Sequence, residues 1–346
     1  MLTYLRQLTV FCVAACFGYV LYCFHVPIPF MLAALIVGVI TVEIGDPWAR
    51  WPMSYRNAGL MTVGYAIGSN ITLATCQDFI DQIGMIALSA LFMIVVGVLI
   101  AWLMAKIWHE DFMSCVLGMM PGGMSLVMVI VQEDKRYDPN VVMVMQVMRF
   151  FGVVFTLPFL VIALFDAHVG DVVRPVVANA LAWPWFVPIA LTGVIFFLKL
   201  HIPIPWLLGP VIPTALVSIY YQPVGYLPQM LLWTAQVLVG VSMGTMLDLH
   251  RVWRAKRLLP AIITGTAFLI AASYVAARVI ENWYGVDMIT GFLAMSPGGI
   301  SEMNIAGLSM GAHTPTILAY QLLRVFAISW AIQLIIKLEH KLMKHA

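Results

Sequence analysis

The stretch "MMPGGMSLVMV" begins at Met119 and the stretch "MSPGGISEMNI" begins at Met295, each inside an otherwise apolar segment. Proline removes a backbone hydrogen bond from a helix interior and glycine lowers helix propensity, so Pro-Gly-Gly interrupts a helix. The two triplets start at Pro121 and Pro297, an offset of 297 − 121 = 176 residues. The sequence therefore predicts two broken helices at corresponding positions.

The composition is that of an integral membrane protein. Of the 346 residues, 62% are hydrophobic and 10% are charged, whereas soluble domains have about 45–50% apolar and about 25% charged residues. Apolar runs close to the ~20 residues that span ~30 Å of hydrocarbon recur along the whole chain. No stretch is left for a soluble domain.

Further landmarks recur in the same order along the chain, which indicates an internal duplication. They are "HVPIPFML" at His25 with "HIPIPWLL" at His201, Gly64 and Gly68 with Gly240 and Gly244, and "MQVMRFF" at Met145 with "YQLLRVF" at Tyr320. We therefore divide the chain into a first membrane repeat, 1–176, and a second membrane repeat, 177–346.

Each repeat contains six apolar segments. They cover approximately 8–24, 30–45, 57–75, 82–108, 112–131 and 139–166, then 183–200, 205–220, 229–247, 258–280, 288–310 and 315–336. Arg149 and Arg324 lie within segments, which leaves 16 of the 18 Lys and Arg residues for the positive-inside rule.

Loop charge favours a topology in which one segment of each repeat does not cross. If all segments cross, the two sides hold nine and seven basic residues; if the Pro-Gly-Gly segments fail to cross, they hold 14 and two. If the sixth segments are instead the ones that do not cross, the two sides hold 12 and four basic residues. The loop charges therefore do not fix the bounds of the non-crossing region. We predict an all-α integral membrane fold of two inverted repeats, each with about five transmembrane helices plus a Gly-rich re-entrant or broken segment. The chain then makes about ten crossings, with both termini cytoplasmic.

The paired breaks predict a substrate site. Backbone freed from a helix at membrane depth persists only where protein or a water-filled cavity takes up its hydrogen bonds. Inverted repeats with interrupted segments are typical of secondary transporters, whose half-helix N-termini face an anion or polar group. The alternative is a kink that serves packing. The candidate substrate-binding residues at the breaks are Pro121, Gly122, Gly123, Ser125, Pro297, Gly298, Gly299, Ser301, Glu302 and Asn304.

Glu302 is the one carboxylate placed well inside an apolar segment, and Leu126 corresponds to it in the first repeat. A charge at the bilayer centre costs about 2.5–3.5 kcal/mol or more, so such a residue is a functional candidate. We interpret Glu302 as a proton-coupling carboxylate or part of a cation site. The alternative is a static salt bridge to Arg324 or Arg149.

A Q-x-x-R pair follows each break: Gln146 with Arg149, and Gln321 with Arg324. The i, i+3 spacing puts the amide and the guanidinium on one helical face. A guanidinium recognises carboxylate or phosphate through two parallel N–H donors, so these four residues join the candidate substrate-binding set. Alternatively, each arginine binds the carbonyl groups released at the neighbouring break.

Other patterns predict no enzyme. The G-x-x-x-G spacings at Gly64 and Gly240 are typical of close helix packing or of a homodimer. No ATP-binding loop, CxxC pair or His and carboxylate cluster occurs, so we predict no cofactor, no metal and no energised pump. Basic residues are scattered among loops, which predicts no nucleic-acid partner.

The chain resembles the AbrB-type proteins of the bacterial inner membrane over essentially its full length. The motifs that carry the resemblance are [MS]-P-G-G, the [MY]-Q-x-x-R stretches and the G-x-x-x-G segments. Family members have been called regulators of gene expression and ammonia monooxygenases. An unrelated soluble transition-state regulator shares the AbrB name.

The residues support neither label. No loop can hold a DNA-reading element, and no ligand set for copper or iron occurs. We predict a secondary transporter, similar in plan to glutamate and citrate symporters, with the lipid bilayer, a small polar or anionic solute, and H⁺ or Na⁺ as its partners. The alternative is a membrane-embedded regulator of gene expression that acts through a protein partner.

Overall fold

The computed structural model describes residues 2–45, 48, 50–122, 127–128, 130–131, 137–165, 185–200, 202, 204–221 and 224–343. Its elements are helices. In the first half they are α1 (Leu2–Cys23), α2 (Pro29–Ile44), α3 (Met53–Gly68), α4 (Leu73–Trp108), α5 (Phe112–Met119) and α6 (Pro139–Phe165). In the second half they are α7 (Phe186–Lys199), α8 (Pro205–Tyr220), α9 (Gln229–Gly244), α10 (Leu249–Arg254), α11 (Leu259–Tyr284), α12 (Met288–Met295), α13 (Ile300–Met310) and α14 (Thr314–Met343). All twelve predicted apolar segments contain helix.

Five of these helices are long and apolar enough to cross a membrane. The candidate spans are Thr3–Cys23, Leu73–Trp108, Pro139–Phe165, Lys256–Tyr284 and Thr314–Lys337, the fourth including a 3₁₀ turn at Lys256–Leu258. Four shorter apolar helices, α2, α7, α8 and α9, have between 10 and 17 residues. The described chain thus has the helices of a membrane protein, while the ten crossings and the inversion of the repeats stay predictions.

The chain forms two compact units, and each takes residues from both halves of the sequence. The first unit comprises Met1–Phe79, Pro158–Leu249 and Asn304–Pro315. The second unit comprises Ile80–Leu157, His250–Met303 and Thr316–Ala346. The repeats at 1–176 and 177–346 were defined by sequence similarity, and compactness does not test that division.

In the first unit, the G-x-x-x-G glycines let helices from opposite halves touch backbone to backbone. A Cβ atom added at any of the four glycines would collide with a carbonyl oxygen of the facing helix. The pairs are Gly64 with Leu207, Gly68 with Val211, Gly240 with Met31, and Gly244 with Leu35. The partners Met31 and Leu207, and Leu35 and Val211, are themselves 176 residues apart. The contacts are therefore reciprocal, as expected for duplicated halves that exchange equivalent faces. This intrachain packing accounts for the glycine spacing, and the predicted homodimer remains untested.

Ile28 and Ile204, the central residues of the repeated "PIP" landmarks, directly precede α2 and α8. Ile28 and Ile204 cap these helices with left-handed φ angles of 42° and 54°, and Pro29 and Pro205 follow as first helical residues. A β-branched residue rarely adopts this conformation. Its occurrence at two positions 176 residues apart shows that the repeat extends to local backbone geometry.

Candidate functional site

The second unit contains two half-helices of the same construction. α5 and α12 each have eight residues, and their bounds differ by 176. Each is capped by an aspartate: Asp111 accepts from the Ser114 N–H at 2.7 Å, and Asp287 accepts from the Thr290 N–H at 2.9 Å. Eight helical residues cover only about 12 Å, less than half of the ~30 Å hydrocarbon core. Both predicted breaks are therefore confirmed.

The proline of each triplet fixes where the half-helix ends. Met120 and Ser296, which precede the prolines, are extended with ψ angles of 123° and 141°. This conformation relieves the clash between a proline ring and the preceding residue. Both helices consequently end just before their Pro-Gly-Gly triplet.

The glycines provide space rather than left-handed geometry. Among the described glycines, positive φ occurs only at positions 45, 285 and 311. A Cβ atom at Gly299 would collide with the Glu302 carboxylate and lie 3.0 Å from the Phe150 ring. At Gly122 the nearest atom would be a Val325 methyl group at 3.4 Å, an ordinary contact. Close approach is thus required at the second break and not at Gly122.

The two glutamines of the Q-x-x-R pairs brace equivalent carbonyl groups. Gln146 Nε2 donates to the Leu117 carbonyl at 2.7 Å, and Gln321 Nε2 donates to the Leu293 carbonyl at 3.0 Å. Gln321 Nε2 also reaches the Ser296 carbonyl at 3.3 Å. Carbonyl groups in the last turn of a helix lack intrahelical partners. The side-chain amides supply the missing donors at both breaks.

The two arginines, unlike the glutamines, both bind the second break. Arg324 Nη1 donates to the Met295 carbonyl at 2.8 Å, and its Nη2 donates to Gln321 Oε1 at 2.7 Å. Arg149 Nη1 donates to the Pro297 carbonyl at 2.7 Å, although Arg149 belongs to the first half of the sequence. The contact of Arg324 is the one that the alternative interpretation predicts, whereas Arg149 binds the break of the other repeat. Solute binding by either arginine stays a prediction.

This arrangement concentrates positive charge at one place. Arg149 and Arg324 are only 5% and 2% exposed, and two like charges bound to one break repel each other. The carboxyl end of α12, which carries partial negative charge, offsets part of that repulsion. Within the part of the chain that the structure describes, the Nε of each arginine has no hydrogen-bond partner. An unsatisfied buried donor costs about 1–3 kcal/mol.

Glu302 lies in the first turn of α13, directly after the second break. Its side chain is 1% exposed, and its Oε1 accepts a hydrogen bond from Ser301 Oγ at 2.8 Å. The Met303 N–H donates to the Gly299 carbonyl at 3.0 Å, which makes Gly299 the capping position. A carboxylate in the first helical turn is stabilised by the helix dipole.

The family model described as "Transition state regulatory protein AbrB" matches residues 7–339 of the chain. The chain belongs to the AbrB family. It is 24% identical over 348 residues to "Uncharacterized protein YhjN" of Bacillus subtilis (strain 168), a match that covers 94% of this chain and 90% of that one. It is also 24% identical over 314 residues to "Putative regulator AbrB" of Escherichia coli (strain K12), covering 88% of each chain. The resemblance predicted from the motifs is confirmed.

The predicted site residues of this AbrB-family chain are only partly assembled. The second unit brings Arg149, Gln321 and Arg324 to the second break, beside Pro297, Gly298, Gly299, Ser301 and Glu302. Pro121, Gly122 and Gln146 belong to the first break. Gly123 and Ser125 lie outside the described residues. Asn304 is fully buried further along α13, in the portion that belongs to the first unit.

Sequence reasoning missed the aspartate caps and the Phe150 ring. The caps had a readable signal, because D-x-x-[ST] occurs at Asp111 and again at Asp287, at the offset of the repeat. Phe150 had none, since an aromatic residue in an apolar helix is ordinarily read as packing.

Proposed function

We propose that this AbrB-family protein is a secondary transporter of the bacterial inner membrane that moves a small polar or anionic solute. The proposal includes two inverted repeats, about ten crossings and cytoplasmic termini. It includes no catalytic step, cofactor or nucleic-acid partner. The observation that carries it is that two buried arginines, one from each half of the chain, bind the same broken helix. Each half of the chain contains one such broken helix.

Charge at this depth favours a binding role over packing alone. A kink that only served packing would need its carbonyl groups satisfied, and neutral amides such as Gln321 already do this. Two buried guanidinium groups add a desolvation cost that hydrogen bonds to carbonyls do not require. A solute that carries negative charge would offset that cost. The arginines then position the solute beside the N-terminus of α13.

The duplicated break supports alternating access. In transporters built from inverted repeats, the site lies between paired discontinuous helices and opens to each side in turn. The two half-helices here match in length, cap and end point. Their surroundings differ, because the second break alone has Glu302 in the following turn. We assign coupling to H⁺ or Na⁺ to this asymmetric carboxylate.

The alternative function is a membrane-embedded regulator that acts through a protein partner. It rests on the name of the Escherichia coli relative, "Putative regulator AbrB". In that case the buried charges at the second break would serve stability and would respond to no solute.

Transport is tested with purified protein in proteoliposomes on a solid-supported membrane. Concentration jumps of acetate, succinate, glutamate, citrate, sulfate and inorganic phosphate are applied at several pH values, with and without Na⁺. The proposal expects a saturable current for at least one solute, absent from empty liposomes. Protein that is folded and correctly inserted but gives no current with any solute or ion would support the regulator instead.

A further inference from the structure

We propose that Glu302 occupies the place of a substrate carboxylate at the second break. The solute is then a small organic carboxylate that competes with the Glu302 side chain, and one proton bound by Glu302 accompanies each solute. The transport half of this inference rests on the proposed function, whereas the competition for the site does not.

The position of Glu302 supports the first step. Its carboxylate folds back over Gly299, since a Cβ atom at Gly299 would collide with Oε2. Gly299 is the residue from which α13 starts, so the carboxylate lies at the amino end of that helix. Helix N-termini bind anions through their unpaired N–H groups and their partial positive charge. Glu302 thus provides this end with an anion from the chain itself.

Arg149 supplies the independent sign of a ligand. Its guanidinium carries five N–H donors, and the hydrogen bond that the described residues provide is the one to the Pro297 carbonyl. Nε is buried without a partner among those residues. Pro297 lies two residues before Gly299, so these donors sit next to the end of α13 at which the Glu302 carboxylate lies. A carboxylate matches a guanidinium through two parallel hydrogen bonds.

Charged groups around Glu302 decide what protonation does. On the described elements packed at this break, they are Arg149 on α6 and Arg324 on α14. The titratable Tyr320 of α14 instead directs its hydroxyl to Gln82 Oε1 at 3.3 Å. A proton taken up on a carboxylate oxygen of Glu302 removes its negative charge from the break to which both guanidiniums bind. An incoming solute carboxylate then restores the negative charge at the break. When the solute leaves, Glu302 releases its proton to the same side.

Isothermal titration of purified protein with succinate between pH 6.5 and 8.5 tests the competition. Free carboxylates keep their charge in this range. Wild-type affinity is expected to rise as the pH falls, by at most tenfold per pH unit for one linked proton. Glu302→Gln should show no such slope and should bind about tenfold or more tightly at pH 8.5, because a like charge nearby is gone. Glu281→Gln, which removes the carboxylate from the exposed Arg278 pair, is the matched control and should behave as wild type.

Several outcomes would overturn the inference. They are a Glu302→Gln variant that keeps the pH slope or binds succinate more weakly, the absence of succinate and acetate binding in every variant, and equal binding of sulfate. If Glu302→Gln does not fold, Glu302→Asp serves instead. Its shorter side chain should keep the slope and bind succinate more tightly than wild type, and wild-type affinity would contradict the inference.

The current assay separates this inference from the proposed function. Competition in the titration without a succinate current leaves the assignment of Glu302 standing and removes transport. A succinate current whose pH dependence survives in Glu302→Gln keeps transport and removes the role of Glu302.

Discussion

At the residue scale, the buried arginines of the second break have a structural role that their hydrogen bonds define. Arg324 joins the last carbonyl of α12 to the Gln321 amide, and Arg149 joins α6 to Pro297. The Arg324 guanidinium binds a backbone carbonyl and a side-chain amide oxygen at once, because guanidinium donors point in several fixed directions. The same contacts leave Nε of each arginine available within the described site.

Substitution of Arg324 by lysine tests this geometry. An ammonium group keeps the charge but is a single donor centre, so it should lose either the Met295 carbonyl or Gln321 Oε1. We expect Arg324→Lys to lower the free energy of unfolding by about 1–3 kcal/mol, measured by thermal unfolding in detergent. Arg254→Lys, at an exposed position of α10, should leave the midpoint unchanged. Equal midpoints for both variants would contradict the hydrogen-bond assignment.

The glycines of the two triplets should differ in their tolerance of alanine. Gly299→Ala forces Glu302 and Phe150 aside, and overpacking of this kind costs about 1–3 kcal/mol. Gly122→Ala meets only ordinary contacts and should cost less than about 0.5 kcal/mol. Thermal unfolding of the two variants in parallel checks the difference. A larger loss at Gly122 would show that the space at Gly299 is not what its contacts indicate.

At the scale of elements, the half-helices depend on their caps. An isolated helix shorter than ~12–15 residues is marginal, and α5 and α12 have eight residues each. Both helices are buried and are stabilised by packing, and an aspartate at one end and a glutamine amide at the other satisfy their terminal backbone groups. Because the two elements match, loss of the cap should have similar effects on both.

Alanine at either cap tests this equivalence. Asp111→Ala and Asp287→Ala should each lower the free energy of unfolding by about 0.5–2 kcal/mol. The asparagine variants keep the side-chain acceptor and should stay close to wild type. Chemical unfolding in mixed micelles is a suitable measurement. Asparagine variants as unstable as the alanine variants would mean that charge, rather than the cap hydrogen bond, stabilises these helices.

At the scale of the whole molecule, the inverted plan makes a prediction about sidedness. It places the loop that holds Lys135 and the loop that holds Arg251 on the same, cytoplasmic side. Single cysteines at these positions in a variant without native cysteines should react with a membrane-impermeant maleimide from the cytoplasmic face alone. Modification of the two positions from opposite faces would contradict the inversion.

Local features were predictable from the sequence, and long-range ones were not. Proline-glycine triplets predicted both breaks, and apolar segments predicted the helices, because proline and hydrophobicity act over one or two turns. The pairing of Gln321 with Arg324 was predicted correctly, because Arg324 donates to Gln321 Oε1.

The partner of Arg149 could not be foreseen. Its spacing from Gln146 fixes its face on α6 but not which carbonyl on another helix it meets. Equivalence of the repeats would have suggested the first break, yet Arg149 binds Pro297 at the second. The reciprocal glycine contacts, too, needed the arrangement in space, since G-x-x-x-G is as compatible with a homodimer as with intrachain packing.

The central claim is that the second break is the substrate site of a transporter, and one measurement tests it most directly. Proteoliposome currents are compared among wild type, Arg149→Gln and Arg254→Gln for a solute that wild type moves, with insertion and folding matched. We predict that Arg254→Gln retains the wild-type current and that Arg149→Gln loses it or needs at least about tenfold more solute, because a charged hydrogen bond to the solute is gone. Currents of equal size and half-saturation in all three proteins would contradict the account.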